Sequence, residues 1–451
     1  MTAKVVKYID LFSGLGGIRL GLEQALSEMG LRGECVFTSE IKPAALKAHN
    51  LNFKDEHIEA TDITKVNSKD IGKFSILLGG FPCQAFSMAG SQKGFADTRG
   101  TLFFDIQRIL EGHLDDVDGF ILENVEGLVT HDKENAEDKE GRTIKVIMHV
   151  LQNVLGYNTE YKVLNAADFG VPQYRRRIYI VGCKKKYGKV NLNFVPQEHI
   201  GVGECLEQGK PCLNNGFSRK LLSLYSPNSL NGMALKDKRG GVRNIHSWDI
   251  AQKGEVSEKQ KLLLNALLLE RRKRKWAEEI GIAWMDGMPL TLEQIRTFFD
   301  APDLKAMLDD LVEKKYLFLE HPKKRIIHID ENGNTWTSRY PDDTLPKGYN
   351  IVTGKLSFEI SSFLDVDKPA NTIVAMDMNT IGVVDGEGIR HLTLREGLRL
   401  FGYPEDYSLE EFNATKQTVK EGYDLIGNSV CVPVIKAVAT RLLNQIYKGR
   451  G

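Results

Sequence analysis

From Val5 onward, apolar runs of strand length alternate with amphipathic stretches of helix length. VVKYIDLF reads as a buried strand entering the glycine-rich turn SGLGG, and IRLGLEQALSEMG as an amphipathic helix stopped by Gly30. ECVFTSE is a second strand that closes on Glu40, and FSILLGG, GFILENV and RRIYIVG are further apolar strands. RTIKVIMHVLQNVLGY, between the last two, has helical periodicity and a glycine stop. This rhythm predicts an open, largely parallel α/β sheet over residues 4–190.

Beyond about residue 190 the pattern becomes polar and glycine-punctuated. KQKLLLNALLLERRKRKWAEEIG is strongly helical, and MPLTLEQIRTFFDAPDLKAMLDDLVEKKYLFLE reads as two or three amphipathic helices entering a strand. That order resembles a winged helix-turn-helix, a plain helical subdomain being the alternative. LTLREGLRLFGYP and GYDLIGNSVCVPVIKAVATRLLNQIY return to helical periodicity, and the apolar faces of the last predict that it packs onto the first domain.

Composition narrows the class. No apolar run is expected to cross a bilayer, and the N-terminus lacks a signal-peptide pattern, so a cytoplasmic protein is expected. Lys+Arg and Asp+Glu both count 60, so a polyanion would have to meet one polarised surface; basic runs such as RRR (175–177) and RRKRK (271–275) otherwise read as solvated faces. The six cysteines form no CxxC pair and fit neither a zinc site nor a disulfide framework.

The turn DLFSGLGG lets backbone N–H groups approach a ligand closely, and Glu40 closes the second strand where a carboxylate can accept ribose hydroxyls. Asp62, in ATDIT, is placed at a third strand end within reach of an adenine amino group. A nucleoside-bearing cofactor accounts for all three, while the lack of the extra spaced glycine of GxGxxG counts against a dehydrogenase. Cys83, in GGFPCQAFSMAG, falls at the carboxyl end of the ILLGG strand, and Glu123, in ILENV, closes the next. Gln173, Arg175 and Arg177 precede another strand. A thiol, a buried acid and arginines on one sheet edge describe a nucleophile with groups that activate an electrophile.

In family order, DLFSGLGG, GGFPCQAFS, RGTLFFDI, LENVEGL, QYRRRIYIVG, PANTIVA, LTLREGLRLFGYP and IGNSVCVPV resemble the motifs of bacterial DNA (cytosine-5)-methyltransferases. The resemblance implies an S-adenosylmethionine-dependent methyltransferase fold: a Rossmann-like mixed sheet with helices on both faces, plus a smaller mixed target-recognition domain. It places a catalytic and cofactor-binding domain at 1–193 and target recognition at 194–390, with the helical, winged-helix-like insert near 257–320. A hinge region at 391–422 and a returning C-terminal helix at 423–451 complete the expected organisation.

By the same resemblance Cys83 adds to carbon 6 of a flipped-out cytosine, Glu123 bonds or protonates ring nitrogen 3, Arg177 holds the base carbonyl, and Arg175 helps position base and nucleophile loop. Phe12, Gly14, Gly16, Glu40, Ile41, Asp62, Ile63, Pro82, Leu102, Asn428 and Ser429 would hold S-adenosylmethionine, which leaves as S-adenosylhomocysteine, with no metal. Ile41 stands where many relatives carry an aromatic, and a threonine precedes Asp62 in place of the usual glycine. Gln84, Ser87 and Arg99 would belong to a lid over the DNA, with Thr372 and Ile373 facing the flipped base.

The expected partner is double-stranded DNA, with a cognate restriction endonuclease that forms no stable complex and a monomeric enzyme in the bacterial cytoplasm or nucleoid. An RNA cytosine methyltransferase and a non-catalytic DNA-binding regulator are the alternatives; the long recognition region argues against the first and the intact thiol, acid and arginines against the second. The target is not read from the sequence, LKDKRGGVRNIHSWD bearing only a faint likeness to regions for GGWCC- or GGNCC-like sites.

Overall fold

From Tyr8 to Leu11 the side chains of VVKYIDL are buried on both faces of β1 (Val5–Leu11), which makes it a central strand. It pairs in parallel with β2 (Arg32–Ser39) and β3 (Ile76–Gly80), and β3 pairs in parallel with β4 (Gly119–Val125). Beyond β4 the direction reverses: β6 (Arg176–Lys184) is antiparallel to β4 and to β5 (Tyr157–Asn165), giving the order β2-β1-β3-β4-β6-β5. The crossovers carry α1 (Gly17–Glu28), α2 (Pro43–Asn52), α3 (Leu102–Gly112) and α4 (Arg142–His149). The computed structural model describes residues 4–54, 58–82, 102–135, 137–237, 243–329, 335–352 and 358–447.

Two expectations are corrected here. β5 lies where the pattern suggested only the end of a helix and its glycine stop. Asp62 closes no strand; it caps a 3-10 turn, Ile63–Lys65, and is held beside the end of β2 by the Thr61 N–H on the Glu40 carbonyl, 2.8 Å.

By contact density the chain divides into two units: Met1–Glu207 with Asp365–Asn379 and Leu392–Gly451, and Gln208–Leu364 with Thr380–His391. In the second, α5 (Gly216–Leu224) accompanies a five-stranded sheet ordered β15-β14-β13-β7-β8. Its strands are β7 (Ala234–Leu235), β8 (Asn244–Ile245), β13 (Ser362–Phe363), β14 (Ile381–Asp385) and β15 (Gly388–His391). Between β8 and β13 stand α6 (Glu258–Glu270), α7 (Arg274–Ile280), α8 (Leu292–Arg296) and α9 (Leu304–Glu313). Four strands follow: β9 (Leu317–Glu320), β10 (Lys323–Ile329), β11 (Thr335–Pro341) and β12 (Gly348–Ile351). Capping boxes at Ser257 and Thr291 start α6 and α8, each supplying backbone N–H groups with side-chain oxygens. Trp248, Leu263, Leu267, Trp276, Leu308 and Tyr316 join one buried cluster. Arg271 is buried as well, bonding Asn350 and the Ile351 carbonyl, so RRKRK is not one solvated face.

The first unit closes with α10 (Ala375–Met378), α11 (Leu394–Arg399), α12 (Lys416–Gly427) and α13 (Val432–Tyr447). Contrary to the expectation of no such run, residues 416–447 are apolar enough to cross a membrane by length and composition; here they form two helices, and 67% of the most apolar window is buried. α13 packs against α1, β4 and β6. Alternation along β4 separates the sheet's two faces: Phe120 and Leu122 join the cluster of Ile106, Ile109, Ile144 and Ile147, while Gly119 abuts Leu442 and Ile446 of α13. Glu123 shares the parity of Gly119, which puts it on the α13 face.

Sheet closeness at this point depends on a glycine. A Cβ on Gly182 would stand 2.2 Å from the buried Phe120 ring. Gly182→Ala is expected to cost ~1–3 kcal/mol through overpacking, read as a lower urea midpoint at neutral pH.

Candidate active site

The turn after β1 is shaped by backbone conformations that side chains rarely adopt: φ is +59° at Phe12, +53° at Gly14 and +69° at Gly16. A Cβ on Gly16 would collide with the Phe53 ring at 2.4 Å, whereas one on Gly14 would meet nothing within 4 Å among the described residues. Gly14 thus leaves open space where a ligand can approach the backbone. Glu40 is fixed across this turn by three N–H donors. One carboxylate oxygen accepts Gly14 N–H, and the other accepts those of Ile41 and Lys42, all at 2.8 Å.

Two further features suit a nucleoside-bearing group. The Ser13 hydroxyl is buried with no hydrogen-bond partner among the described residues, and Ile41 beside Glu40 is 64% exposed. Asp62 is exposed, its carboxylate held by the Thr64 N–H and hydroxyl, at 3.1 and 2.7 Å, and kept below the usual carboxylate range chiefly by that hydroxyl. The Ile63 side chain belongs to the core, so only its backbone can face a ligand. Leu102 opens α3, half-buried, and Pro82 is exposed. Asn428 bonds back to the Asp424 carbonyl at 2.9 Å. Ser429 accepts or donates to the Tyr403 hydroxyl, and a Cβ on Gly17 would lie 3.3 Å from its oxygen, which puts the 429 segment against the first turn of α1.

Cys83, Gln84, Ser87 and Arg99 lie outside the described residues; the chain leading to Cys83 does not. The buried Asn124 amide donates to the Phe81 carbonyl at 2.7 Å, fixing the strand exit two residues before the thiol. Gly80 is the register partner of Glu123. The Glu123 side chain is 12% exposed and pairs with Arg177 Nε at 3.3 Å, Arg177 being 13% exposed. Burial raises the Glu123 carboxyl above its ordinary 4.5, with Arg177 and then Arg175 opposing.

The three consecutive arginines go three ways. Arg176 forms a bidentate surface pair with Glu126 at 2.8 and 2.9 Å. Arg177 faces Glu123 and donates to the Arg176 carbonyl. Arg175, 3% exposed, donates to the carbonyls of Ile373, Gly427 and Ser429 at 2.7–3.0 Å and covers the Phe401 ring. Gln173, also buried, bonds the Leu400 carbonyl and accepts the Ile373 N–H, while the Thr372 hydroxyl donates to the Tyr174 carbonyl at 2.6 Å.

Sequence reasoning missed Tyr179 and Cys431. Tyr179 is the other register partner of Glu123, and the buried Cys431 thiol is pushed up to about 11 by burial. Both lie close enough to Glu123 to feel its charge. The parity of RRIYIVG could have placed Tyr179 opposite Glu123; nothing local marks Cys431.

The proton on Glu123 has a measurable consequence. Above 4.5 the unfolded chain has released it while the folded chain retains it, so unfolding free energy falls with rising pH until the folded value is passed. Glu123→Gln is expected to remove that fall, gaining on wild type as pH rises from 4.5 toward neutrality in denaturant titrations. Parallel pH courses for the two proteins would contradict it.

The chain is similar throughout to bacterial modification enzymes. It is 55% identical to the Type II methyltransferase M.NlaIV of Neisseria lactamica over 441 residues, 98% of this chain and 99% of that one. It is 53% identical to M.NgoBV of Neisseria gonorrhoeae with the same coverage. A crystal structure of a prophage-encoded E. coli protein, described as a DNA modification methyltransferase, shares the fold at TM-score 0.50 and 19% identity, covering 97% of this chain and 99% of its own. The model of the C-5 cytosine-specific DNA methylases matches residues 6–444, and the chain belongs to that family.

Proposed function

We infer that this enzyme methylates carbon 5 of a cytosine within a specific duplex DNA sequence, as the modification partner of a restriction endonuclease. The observation that carries the chemical reading is the Glu123–Arg177 pair at the strand end beside Gly80, with a carboxyl raised by burial, three residues in chain from Cys83. The second unit, Gln208–Leu364 with Thr380–His391, is the reading's source of sequence specificity. A monomer in the bacterial cytoplasm, making no stable complex with its endonuclease, completes the proposal.

Cytosine carbon 5 is a weak nucleophile until a thiolate adds to carbon 6. In the proposed course the Cys83 sulfur forms a bond to carbon 6, and the electrons of the 5,6 double bond move toward carbon 5. Glu123, still protonated because burial disfavours its anion, gives its proton to ring nitrogen 3. Arg177 donates to the carbonyl oxygen of the base and balances the carboxylate that Glu123 becomes. Family membership implies S-adenosylmethionine, which when bound supplies an electrophilic methyl to carbon 5 and leaves as S-adenosylhomocysteine. Release of the carbon 5 proton to solvent and return of the nitrogen 3 proton to Glu123 then restore the double bond and expel Cys83 as thiolate.

The turn at Phe12, Gly14 and Gly16, the Glu40 carboxylate, Ile41, Asp62, the Ile63 backbone, Pro82, Leu102, Asn428 and Ser429 are the proposed holders of that donor. Glu40 suits ribose because the oxygen that accepts only the Gly14 N–H keeps a further lone pair. Gln84, Ser87 and Arg99 are assigned to a lid and Thr372 and Ile373 to the wall facing the base, which must leave the duplex stack to be reached.

Duplex DNA in which 5-fluorocytosine replaces cytosine should trap wild type as a covalent complex, because fluorine cannot leave as the carbon 5 proton does. Cys83→Ser should form none and lose turnover by at least ~10³-fold, seen by denaturing electrophoresis and methyl-transfer assay. Full turnover in that variant would remove the nucleophile assigned here.

A further inference from the structure

Within the second unit, the segment from α6 to β12 follows the order of a winged helix. Helix α6 leads to Leu290, which bridges Tyr349; α8 and α9 follow, then β9 paired with β12, with the β10–β11 ribbon between them as the wing. In helix-turn-helix docking the second helix of the pair enters the major groove, which here is α9.

The charge on α9 opposes that. Its exposed positions include Lys305, Asp309 and Glu313, and its N-cap is Asp303. Lys305 is bonded to Asp309 at 2.5 Å, Lys314 to Asp310 at 2.8 Å, and Lys259 to the N-cap Asp303, so these lysines are committed to carboxylates and Glu313 adds a negative charge. That leaves this face little attraction for phosphate.

The ribbon is the reverse. β10 and β11 hold Lys323, Lys324, Arg325 and Arg339 and no carboxylate. Lys323 reaches Glu320 at 3.1 Å and Lys324 reaches Asp342 at 3.8 Å, both at the ribbon's base. Among the described residues Arg325 makes no hydrogen bond or ion pair, and Arg339 bonds the Trp284 carbonyl at 3.0 Å. These two arginines are direct cross-strand partners, an arrangement in which like charges repel and an anion between them brings relief. Arg274 lies over the Trp284 ring, extending the cationic strip.

On the opposite face His328 stacks on Trp336 at 5.1 Å and meets Tyr340 edge-on at 6.3 Å, a rigid aromatic surface. Trp336 on this face is 53% exposed, and Ile327 and Ile329, which share the arginine face by strand alternation, are 61% and 69% exposed. A two-stranded ribbon without a covering layer is marginal by itself, and such apolar exposure marks a contact surface. The connection DENGN carries two carboxylates, which restricts phosphate contact to the strands themselves.

We propose that the β10–β11 ribbon, and not α9, is the part of this insert that meets duplex DNA, gripping the phosphodiester backbone through Arg325 and Arg339. This rests on the reading of the chain as a DNA methyltransferase. The test uses the full-length enzyme and a duplex that wild type methylates, with binding measured across a salt series and kinetics alongside. For Arg325→Ala/Arg339→Ala, the slope of log affinity against log salt should become shallower by about 1.8, for two lost phosphate contacts. Affinity should fall at least ~10-fold in moderate salt, with the loss in KM for DNA and kcat held within about twofold.

Should the double variant fail to fold by circular dichroism, Arg325→Ala alone decides, with an expected slope change of about 0.9. An unchanged slope and KM in a folded ribbon variant overturns the assignment, as does a Lys305→Ala variant that loses affinity in its place. Wild type that transfers methyl to no DNA overturns the underlying reading, an outcome distinct from failure of the ribbon variant alone.

Discussion

Arg175 holds the catalytic unit's distant segments together. Its guanidinium donates to the carbonyls of Ile373, Gly427 and Ser429, so a residue just before β6 fixes two stretches roughly 200 and 250 positions further along. A buried cation is costly unless its donors are met. Here three backbone carbonyls and the Phe401 ring meet the terminal nitrogens, while Nε is buried with no hydrogen-bond partner among the described residues. The consequence is directional: carbonyls of fixed backbone specify where the guanidinium sits more tightly than a single mobile carboxylate would. Three donors of Arg175 are committed to backbone, and the arginine paired with Glu123 is Arg177.

That division explains why the Glu123 carboxyl is held above its ordinary value. Desolvation alone would neutralise it; two nearby guanidinium groups alone would ionise it. Arg175 is drawn away into its carbonyl cage, and Arg177 approaches only to 3.3 Å while also serving the Arg176 carbonyl. Burial therefore wins over attraction and the carboxyl stays above its ordinary value. Tyr179 opposite it and the thiol of Cys431 keep the surroundings weakly polar without supplying a further cation.

Much of this was legible in order along the chain. Strands β1 to β4 and β6 follow from apolar runs, and Glu40 and Glu123 from their places at strand ends. β5 was not, because an edge strand with one neighbour keeps polar groups such as Glu160 and Lys162 on its open positions and so lacks a buried run. Asp62 was misread as a strand end although Asp-x-Thr signals a capped turn. The cage around Arg175 has no local signature at all: it is made of backbone carbonyls, to which side-chain identity is silent. RRKRK likewise conceals one buried arginine among solvated neighbours.

Glu40 and Arg175 are the same device with the charges exchanged. One carboxylate is pinned by three backbone N–H groups, and one guanidinium by three backbone carbonyls. The difference lies in what remains: the Glu40 oxygen that accepts only the Gly14 N–H still has a lone pair for a ligand hydroxyl, whereas Arg175 is buried, 3% exposed. Pinning thus pre-orients Glu40 as a binding group and consumes Arg175 as a strut. Both arrangements meet their orientation cost during folding, so a ligand arriving at the turn or at the strand ends finds its partners already placed.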